Sequence, residues 1–245
     1  MNLNYMQNQS KVRAAVALFR RELSANFQTP VAYVAGAIFL AVTATLFFSL
    51  FFVFQRVEMR NFFSYLPILL AILMPALAMR VIAEEKRRGT WEILTTLPLN
   101  NTEIVIAKFA AIMTTGLFLL IPTLFFTLTV SLMGPLDPGP VVAGYIGAIL
   151  LVGVYTAIGL FSSSVAGNET VALILGLVIA LFFALLDVFL VLVPTPLVDL
   201  FEFLSIGYHF SGFSKGLIDS RSIIYLLSLI IGFLTLTQYR LNRQQ

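Results

Sequence analysis

The chain has 245 residues, of which 59% are hydrophobic and 11% are charged, and its formal net charge is +3. A soluble domain usually carries about a quarter charged residues, so this composition excludes an ordinary water-soluble protein and indicates an integral membrane protein. The absence of cysteine excludes disulfides, thiolate metal ligands and thiol catalysis.

Residues 1–29 precede the first long apolar run and are predicted to form a cytoplasmic tail with an amphipathic helix. Four apolar side chains fall on one face of this helix, and basic residues flank them: Val12, Val16, Phe19 and Leu23. Such a pattern is typical of a helix that lies in the membrane interface. The helix serves either as an anchor alone or also as a contact for a cytoplasmic partner. The apolar stretch within residues 1–29 is too short and too interrupted for a secretory signal.

Six apolar runs follow, each near the ~20 residues that a helix needs to cross a bilayer. They are Val31–Gln55, Phe62–Ala83, Ile104–Leu132, Val141–Phe161, Thr170–Val193 and Ile223–Tyr239. The predicted fold is an all-α integral membrane protein in which residues 30–245 form one six-span transmembrane domain. Proline is expected to bend the second run and to interrupt the third at Pro122.

The basic residues favour one orientation of these spans. With the N-terminus in the cytoplasm, 11 of the 15 Lys and Arg residues lie on the cytoplasmic side, and four lie outside: Arg56, Arg60, Lys215 and Arg221. Positive charge is enriched in cytoplasmic loops, so both termini are predicted to be inside, in a multi-pass protein of the cytoplasmic (inner) membrane. The basic residues form no groove-like patch, and nucleic acid is not an expected partner.

Two spans carry small residues at every fourth position, which allows close approach of helices in a membrane. The first span has Ala37, Ala41, Thr45 and Ser49, and the fifth has Ala172, Gly176, Ala180 and Ala184. The pattern fits packing within one bundle and packing across a dimer equally well.

Asp187 lies in the outer third of the fifth span, three residues after the last of its small residues. A carboxylate at membrane depth is costly and usually faces protein or water. Asp187 is therefore a candidate for a transport pathway, although it could instead be protonated or cap a nearby donor.

Sequence motifs for catalysis are missing from the chain. It has one histidine, His209, which excludes an H-E-x-x-H zinc site, and it has neither a G-x-S-x-G elbow nor a phosphate-binding G-x-x-x-x-G-K-[ST] loop. We therefore expect that the chain is not an enzyme, and that any ATP is bound by another subunit. His209 is interpreted as structural.

The charged segment EEKRRGTWEILTTLPL, from Glu84 to Leu99, follows the second span. It resembles the signature of ABC-2 type permeases, the membrane subunits of one branch of ABC transporters. The resemblance rests on Glu85, Arg87 or Arg88, Gly89, Thr90, Glu92, Leu94, Leu97 and Pro98, followed by Lys108 at the start of the third span. A second similar stretch runs from Leu204 to Ser228. The compact length is most similar to permeases of gliding-motility and copper-maturation systems.

The resemblance implies a permease that dimerises with a second copy or a related permease and is driven by separate ABC ATPase subunits, which bind the ATP and magnesium. This chain would bind no cofactor itself. The expected coupling segment is residues 84–98, with contacts from Glu84, Glu85, Arg88, Gly89, Thr90, Trp91, Glu92, Leu94 and Pro98. Asn168 and Glu169 would form a second, smaller cytoplasmic contact, although Asn168 could equally cap the fifth span.

Physical arguments agree with a coupling role for this segment. A segment whose only role was to orient the protein in the membrane would need only Lys and Arg. Its Gly, Trp and Pro would then have no explanation. Trp91 and Leu94 are suited to anchoring an interface, and the glutamates are suited to pairing with bases on a partner. Glu84 and Arg88 are also spaced to brace the helix end as an i,i+4 pair.

The outer stretch before the last span is expected to form short helices that dip back into the outer leaflet, which family members use to close the outer end of the path. Export is the family's commoner direction. An alternative function is a mechanical transmitter without transport, which would pass ATP-driven motion to an accessory protein on the outer face. A secondary transporter is disfavoured, because no inverted repeat is visible.

Overall fold

A computed structural model of the chain describes the backbone of residues 3–54, 58–91, 99–189 and 195–243, and side chains within 12–49, 58–91, 99–189 and 198–243. All regular structure in these ranges is helical, and six helical stretches are long and apolar enough to cross a membrane. The predicted all-α, six-span architecture is therefore confirmed.

The helices are numbered here in chain order. They are α1 Leu3–Gln28, α2 Pro30–Phe54, α3 Arg60–Ala78, α4 Arg80–Arg87, α5 Asn101–Leu120, α6 Leu124–Met133, α7 Pro138–Val165, α8 Glu169–Phe189, α9 Thr195–Leu204, α10 Ile206–Ser214 and α11 Ser220–Asn242. The six spans are α2, α3 with α4, α5 with α6, α7, α8 and α11.

The third span is interrupted where the sequence predicts. A short 3₁₀ turn at Ile121–Thr123 separates α5 from α6 and contains Pro122. Proline has no amide hydrogen to donate to the preceding turn, so it kinks or breaks an α-helix. Here the helix changes to a 3₁₀ turn, whereas α3 continues through Pro67 and Pro75. The hydroxyl of Thr123 donates to the carbonyl of Leu120 at 2.6 Å and so satisfies one of the acceptors that the interruption frees.

Helix α7 lies at the centre of the bundle and packs against α3, α5, α8, α10 and α11. Glycines on α7 allow its backbone to approach its neighbours closely. A β-carbon at Gly144 would lie 2.5 Å from the ring of Phe63, and one at Gly159 would lie 2.6 Å from Cβ of Ala78. The centre of the fold therefore depends on small residues where α3 crosses α7.

The two stripes of small residues lie in different environments. On α8, Ala172, Ala180 and Ala184 are each at most 2% exposed. Gly176 packs on Pro75 of α3, because a β-carbon there would lie 2.9 Å from the proline ring. On α2, by contrast, Ala37, Ala41, Thr45 and Ser49 are all exposed. The α8 stripe is thus an intrachain packing surface, whereas the α2 stripe faces away from the chain's own bundle.

Helices α9 and α10 occupy the outer stretch and are too short to cross a membrane, which confirms the expected short helices. Phe210 and Phe213 of α10 are buried against α7, next to Gly147. The ring of His209 bonds to the carbonyl of Phe203 and to the hydroxyl of Ser222, both at 3.1 Å. These contacts give His209 a structural position that holds the outer stretch against α11.

Candidate functional site

A buried cluster of charges joins three helices where the second span ends and the third begins. Lys108 of α5 is fully buried, and its Nζ lies 2.7 Å from Oε2 of Glu85 and 3.0 Å from Oε1 of Glu22. Nζ also donates to the carbonyl of Val81 at 2.9 Å. Arg21 Nη2 lies 3.6 Å from the other oxygen of Glu85. We call Arg21, Glu22, Glu85 and Lys108 the charge cluster.

The chemistry of the charge cluster explains why Lys108 is tolerated inside an apolar helix. The ammonium group donates hydrogen bonds to Glu22 and to the carbonyl of Val81, and it forms an ion pair with Glu85, so the buried charge is compensated by two carboxylates. The two carboxylates belong to α1 and α4, so the single lysine holds α1, α4 and α5 together. The family motif included Lys108 as a basic residue opening the third span, but its partners were not predicted. In the sequence, the signal that could have indicated this charge cluster was a lysine within an apolar run.

The break between α3 and α4 is made by a serine from α7. Ser163 Oγ accepts hydrogen bonds from the amides of Ile82 and Ala83, at 3.1 and 3.0 Å, and donates to the carbonyl of Met79 at 2.9 Å. In a continuous helix the Ala83 amide would bond to Met79 directly. A side chain inserted in this way is a recognised cause of helix kinks. The role of Ser163 was not predicted from the sequence.

Gly89 ends α4 in the left-handed conformation, with φ of +70°. The Gly89 amide donates to the carbonyl of Lys86, and the Thr90 amide donates to that of Glu85. These two bonds define a Schellman motif, in which glycine is favoured because it has no β-carbon to strain the left-handed turn. The i,i+4 ion pair predicted between Glu84 and Arg88 is present at 2.5 Å. Gly89 therefore sets the direction in which the segment leaves the helix.

Trp91 is buried in the chain's own hydrophobic core, with only 8% of its surface exposed. It thus holds the segment against the bundle. Glu92, Leu94 and Pro98, which the sequence also predicts as coupling residues, lie outside the described residues. The described residues resume at Leu99. A capping box between Asn100 and Glu103 starts α5.

The second cytoplasmic loop is tied directly to α4. Asn168 Oδ1 accepts from the amide of Val171 at 2.8 Å, so Asn168 caps α8, as one of the two sequence interpretations holds. Glu169 pairs with Arg80 at 3.0 Å and with Arg87 at 2.8 Å. Lys86 donates to the carbonyl of Ser164 at the end of α7. The two cytoplasmic contacts predicted separately are thus one connected structure.

The exposed charges of this structure are mostly basic. The Arg87 and Arg88 side chains are 53% and 65% exposed, whereas Glu85 is buried and Glu84 is engaged with Arg88. Glu84 and Glu85 are predicted to pair with bases on a partner. In the structure, both carboxylates already pair with bases of the same chain. Among the described residues of the segment, the exposed charged side chains are those of Arg87 and Arg88.

Asp187 is half-buried at the junction of the fifth span with the outer stretch. A β-carbon at Gly207 of α10 would lie 2.6 Å from its Oδ2. Its Oδ1 is buried and has no hydrogen-bond partner among the described residues. The carboxylate is thus packed against the backbone of α10, and its role in a pathway stays a prediction.

Comparison with known proteins identifies the family. No curated protein gives a significant match to the chain. The sequence profile described as ABC-2 family transporter protein matches residues 3–245, which is almost the whole chain. The predicted resemblance is confirmed, and membership implies an ABC ATPase as a partner in general. The chain is a multi-pass membrane protein that belongs to the ABC-2 family of transporter proteins.

Proposed function

We propose that this chain is the permease subunit of an ATP-driven exporter and receives motion from separate ATPase subunits through residues 84–98. The observation that carries the proposal is the charge cluster around Lys108. Buried ion pairs are weak evidence for stability, but they hold elements in one defined arrangement. The cluster supports a role in which a force on α4 reaches α1 and α5 as well.

The contacts around α4 describe a path for that motion. Force applied at the exposed arginines reaches α4, and Ser163 joins the start of α4 to α7. Glu169 joins both ends of α4 to α8 through Arg80 and Arg87. The cytoplasmic ends of spans two to five are therefore linked by ion pairs and hydrogen bonds, which supports their movement as one unit.

In this proposal the chain binds no nucleotide, and ATP and magnesium belong to the partner. It lies in the cytoplasmic membrane with both termini inside, as the distribution of Lys and Arg favours. A partner surface with acidic side chains would complement the two exposed arginines, since Arg is favoured in interface ion pairs.

Replacing Arg87 and Arg88 together with glutamine is expected to weaken assembly with the ATPase about tenfold or more, because arginines are frequent hot spots of interfaces. The measurement is co-purification with the ATPase encoded beside this gene, together with ATPase stimulation. The matched control replaces Lys215 and Arg221, two exposed basic residues near the start of α11, with glutamine. Unchanged assembly and stimulation in the Arg87 and Arg88 variant would contradict the coupling role.

We further propose that two permeases pair through the exposed face of α2, because its small residues permit close helix approach and no part of the described bundle covers them. The chain has no cysteine, so Ala37→Cys and Ala41→Cys variants carry single thiols. Oxidation in membranes is expected to give a disulfide-linked species near twice 27.1 kDa. Ile231→Cys on the exposed face of α11 is the control. Crosslinking only at the control position would refute this interface.

A mechanical transmitter is a second candidate function, because it needs no continuous polar path and the spans of one chain have little polar surface. The hydroxyls of Thr115, Thr156 and Ser162 each donate to a backbone carbonyl four residues earlier in their own helix. Flux of cargo through the reconstituted complex would favour transport. ATP-dependent binding of a neighbouring gene's outer-face protein, without flux, would favour the transmitter.

A further inference from the structure

A cavity of about 420 Å³ opens beside the charge cluster, between α1, α2 and the α3–α4 break. Its volume is within the range of ~300–1,000 Å³ that is typical of small-molecule sites. The charged part of the lining consists of three arginines and three glutamates: Arg21, Arg80, Arg88, Glu22, Glu84 and Glu85. The apolar part includes Val31, Ala32, Ala76 and Leu77.

The lining of the cavity extends across the ends of two spans. The first span begins at Pro30 and the second ends at Arg87. Thr29 and Arg88 therefore lie just beyond the spans, whereas Arg80, Val31 and Leu77 lie within them. The cavity thus combines polar groups near the ends of two spans with apolar groups of the same spans, an arrangement that matches a molecule with a polar head and an apolar tail.

The polar groups that remain available in the cavity are cationic donors. Arg21 Nη2 lies 3.6 Å from Oε1 of Glu85, which is beyond hydrogen-bonding distance. The Arg21 side chain is 62% exposed. Arg80 uses Nε to bind Glu169, and no described residue bonds to its two Nη groups. The carboxylates that line the cavity are already paired, Glu22 and Glu85 with Lys108 and Glu84 with Arg88. The ligand that complements this site is an anion.

We propose that this cavity binds the phosphodiester headgroup of an anionic phospholipid from the cytoplasmic leaflet. Guanidinium groups present paired N–H donors that match phosphate oxygens, and basic pockets between spans are known to hold lipid headgroups. Arg21 and Arg80 bind the phosphate, and the acyl chains leave along Val31, Ala32 and Leu77. The cavity shares Arg88 with the proposed coupling surface, but Arg21 and Arg80, which bind the phosphate, are not part of that surface.

The test measures lipid binding to the purified full-length protein by native mass spectrometry, with phosphatidylglycerol and phosphatidylcholine as probes. Phosphatidylglycerol is expected to bind preferentially. The double variant Arg21→Gln and Arg80→Gln should weaken its binding about 30-fold, or about fivefold for each guanidinium removed. The double variant Lys215→Gln and Arg221→Gln removes the same charge outside the cavity and should leave binding unchanged.

A second variant tests the apolar part of the lining without altering charge. Ala76→Phe is expected to fill the cavity and lower phosphatidylglycerol binding about tenfold with both arginines in place. Its melting temperature, compared with that of the parent, shows whether the protein is folded.

Four results would overturn the proposal. The first is equal binding of the two lipids, and the second is equal loss of binding in the two double variants. The third is binding of inorganic phosphate or glycerol phosphate as tight as that of the lipid, because the site would then recognise a free anion. The fourth is loss of ATPase assembly in the cavity variants with lipid binding unchanged, because the cavity would then serve the partner protein.

Discussion

Replacement of Lys108 with methionine is expected to destabilise the protein by about 3–5 kcal/mol, because it removes the buried positive charge between two carboxylates. Glu22 and Glu85 would face each other without the ammonium group that both contact, at 3.0 and 2.7 Å. Methionine keeps nearly the length and volume of lysine, so the effect reports the charge. The expected change is a lower melting temperature and a loss of monodisperse protein.

The chain supplies its own probe for this measurement. Trp91 is the single tryptophan and is buried in the core next to the end of α4. Its fluorescence during thermal unfolding therefore reports the coupling segment itself. Lys215→Met, at an exposed lysine on the outer side, serves as the matched control and should melt like the parent.

Neutralising the two partners should reverse much of this loss. In the triple variant Lys108→Met, Glu22→Gln and Glu85→Gln, no uncompensated charge remains buried, and most of the stability is expected to return. The coupling of the helices would not return with it, so ATPase stimulation should stay low. A single Lys108→Met variant that melts like the parent would show that the charge cluster does not hold these helices together.

Gly159→Ala is expected to destabilise the bundle by about 1–3 kcal/mol through overpacking where α3 crosses α7. The added β-carbon would lie 2.6 Å from Cβ of Ala78 and 3.3 Å from Cα of Pro75, so the two helices must separate. Since α3 leads directly into α4, the coupling segment would shift with it. Melting temperature and ATPase stimulation should therefore fall together.

Two further variants test that explanation for Gly159. Gly232→Ala adds the same methyl group on α11, where nothing lies within 4 Å of the new atom, and should not lower the melting temperature. Adding Ala78→Gly to Gly159→Ala removes the facing methyl group and should restore most of the stability. If the double variant were no more stable than Gly159→Ala alone, the contact with Ala78 would not be the cause.

Features governed by a few neighbouring residues could be predicted from the sequence. The six spans follow from the length of uninterrupted apolar sequence, because lipid cannot satisfy backbone groups and the chain must form helices there. The break at Pro122, the cap at Asn168 and the Glu84–Arg88 pair each depend on residues within one turn of each other. Local geometry was sufficient for all of them.

Features that join distant parts of the chain could not be predicted. Lys108 and Glu22 are 86 positions apart, and Ser163 reaches Met79 across 84 positions. The sequence shows a lysine in an apolar helix and a serine at a helix end, but it does not show which helix faces them. The same reason explains why the contacts of Glu85 and Trp91 inside the chain could not be predicted.

The stripes of small residues show most directly what the sequence determines and what depends on the tertiary structure. Ala37 and Ala41 on α2 have the same spacing as Ala180 and Ala184 on α8, and both pairs are compatible with packing inside or outside the bundle. Periodicity determines which residues share a helix face, because an α-helix turns once in ~3.6 residues. Only the tertiary arrangement decides what that face meets: α8 is turned toward α3 and α7, whereas the stripe on α2 is left exposed.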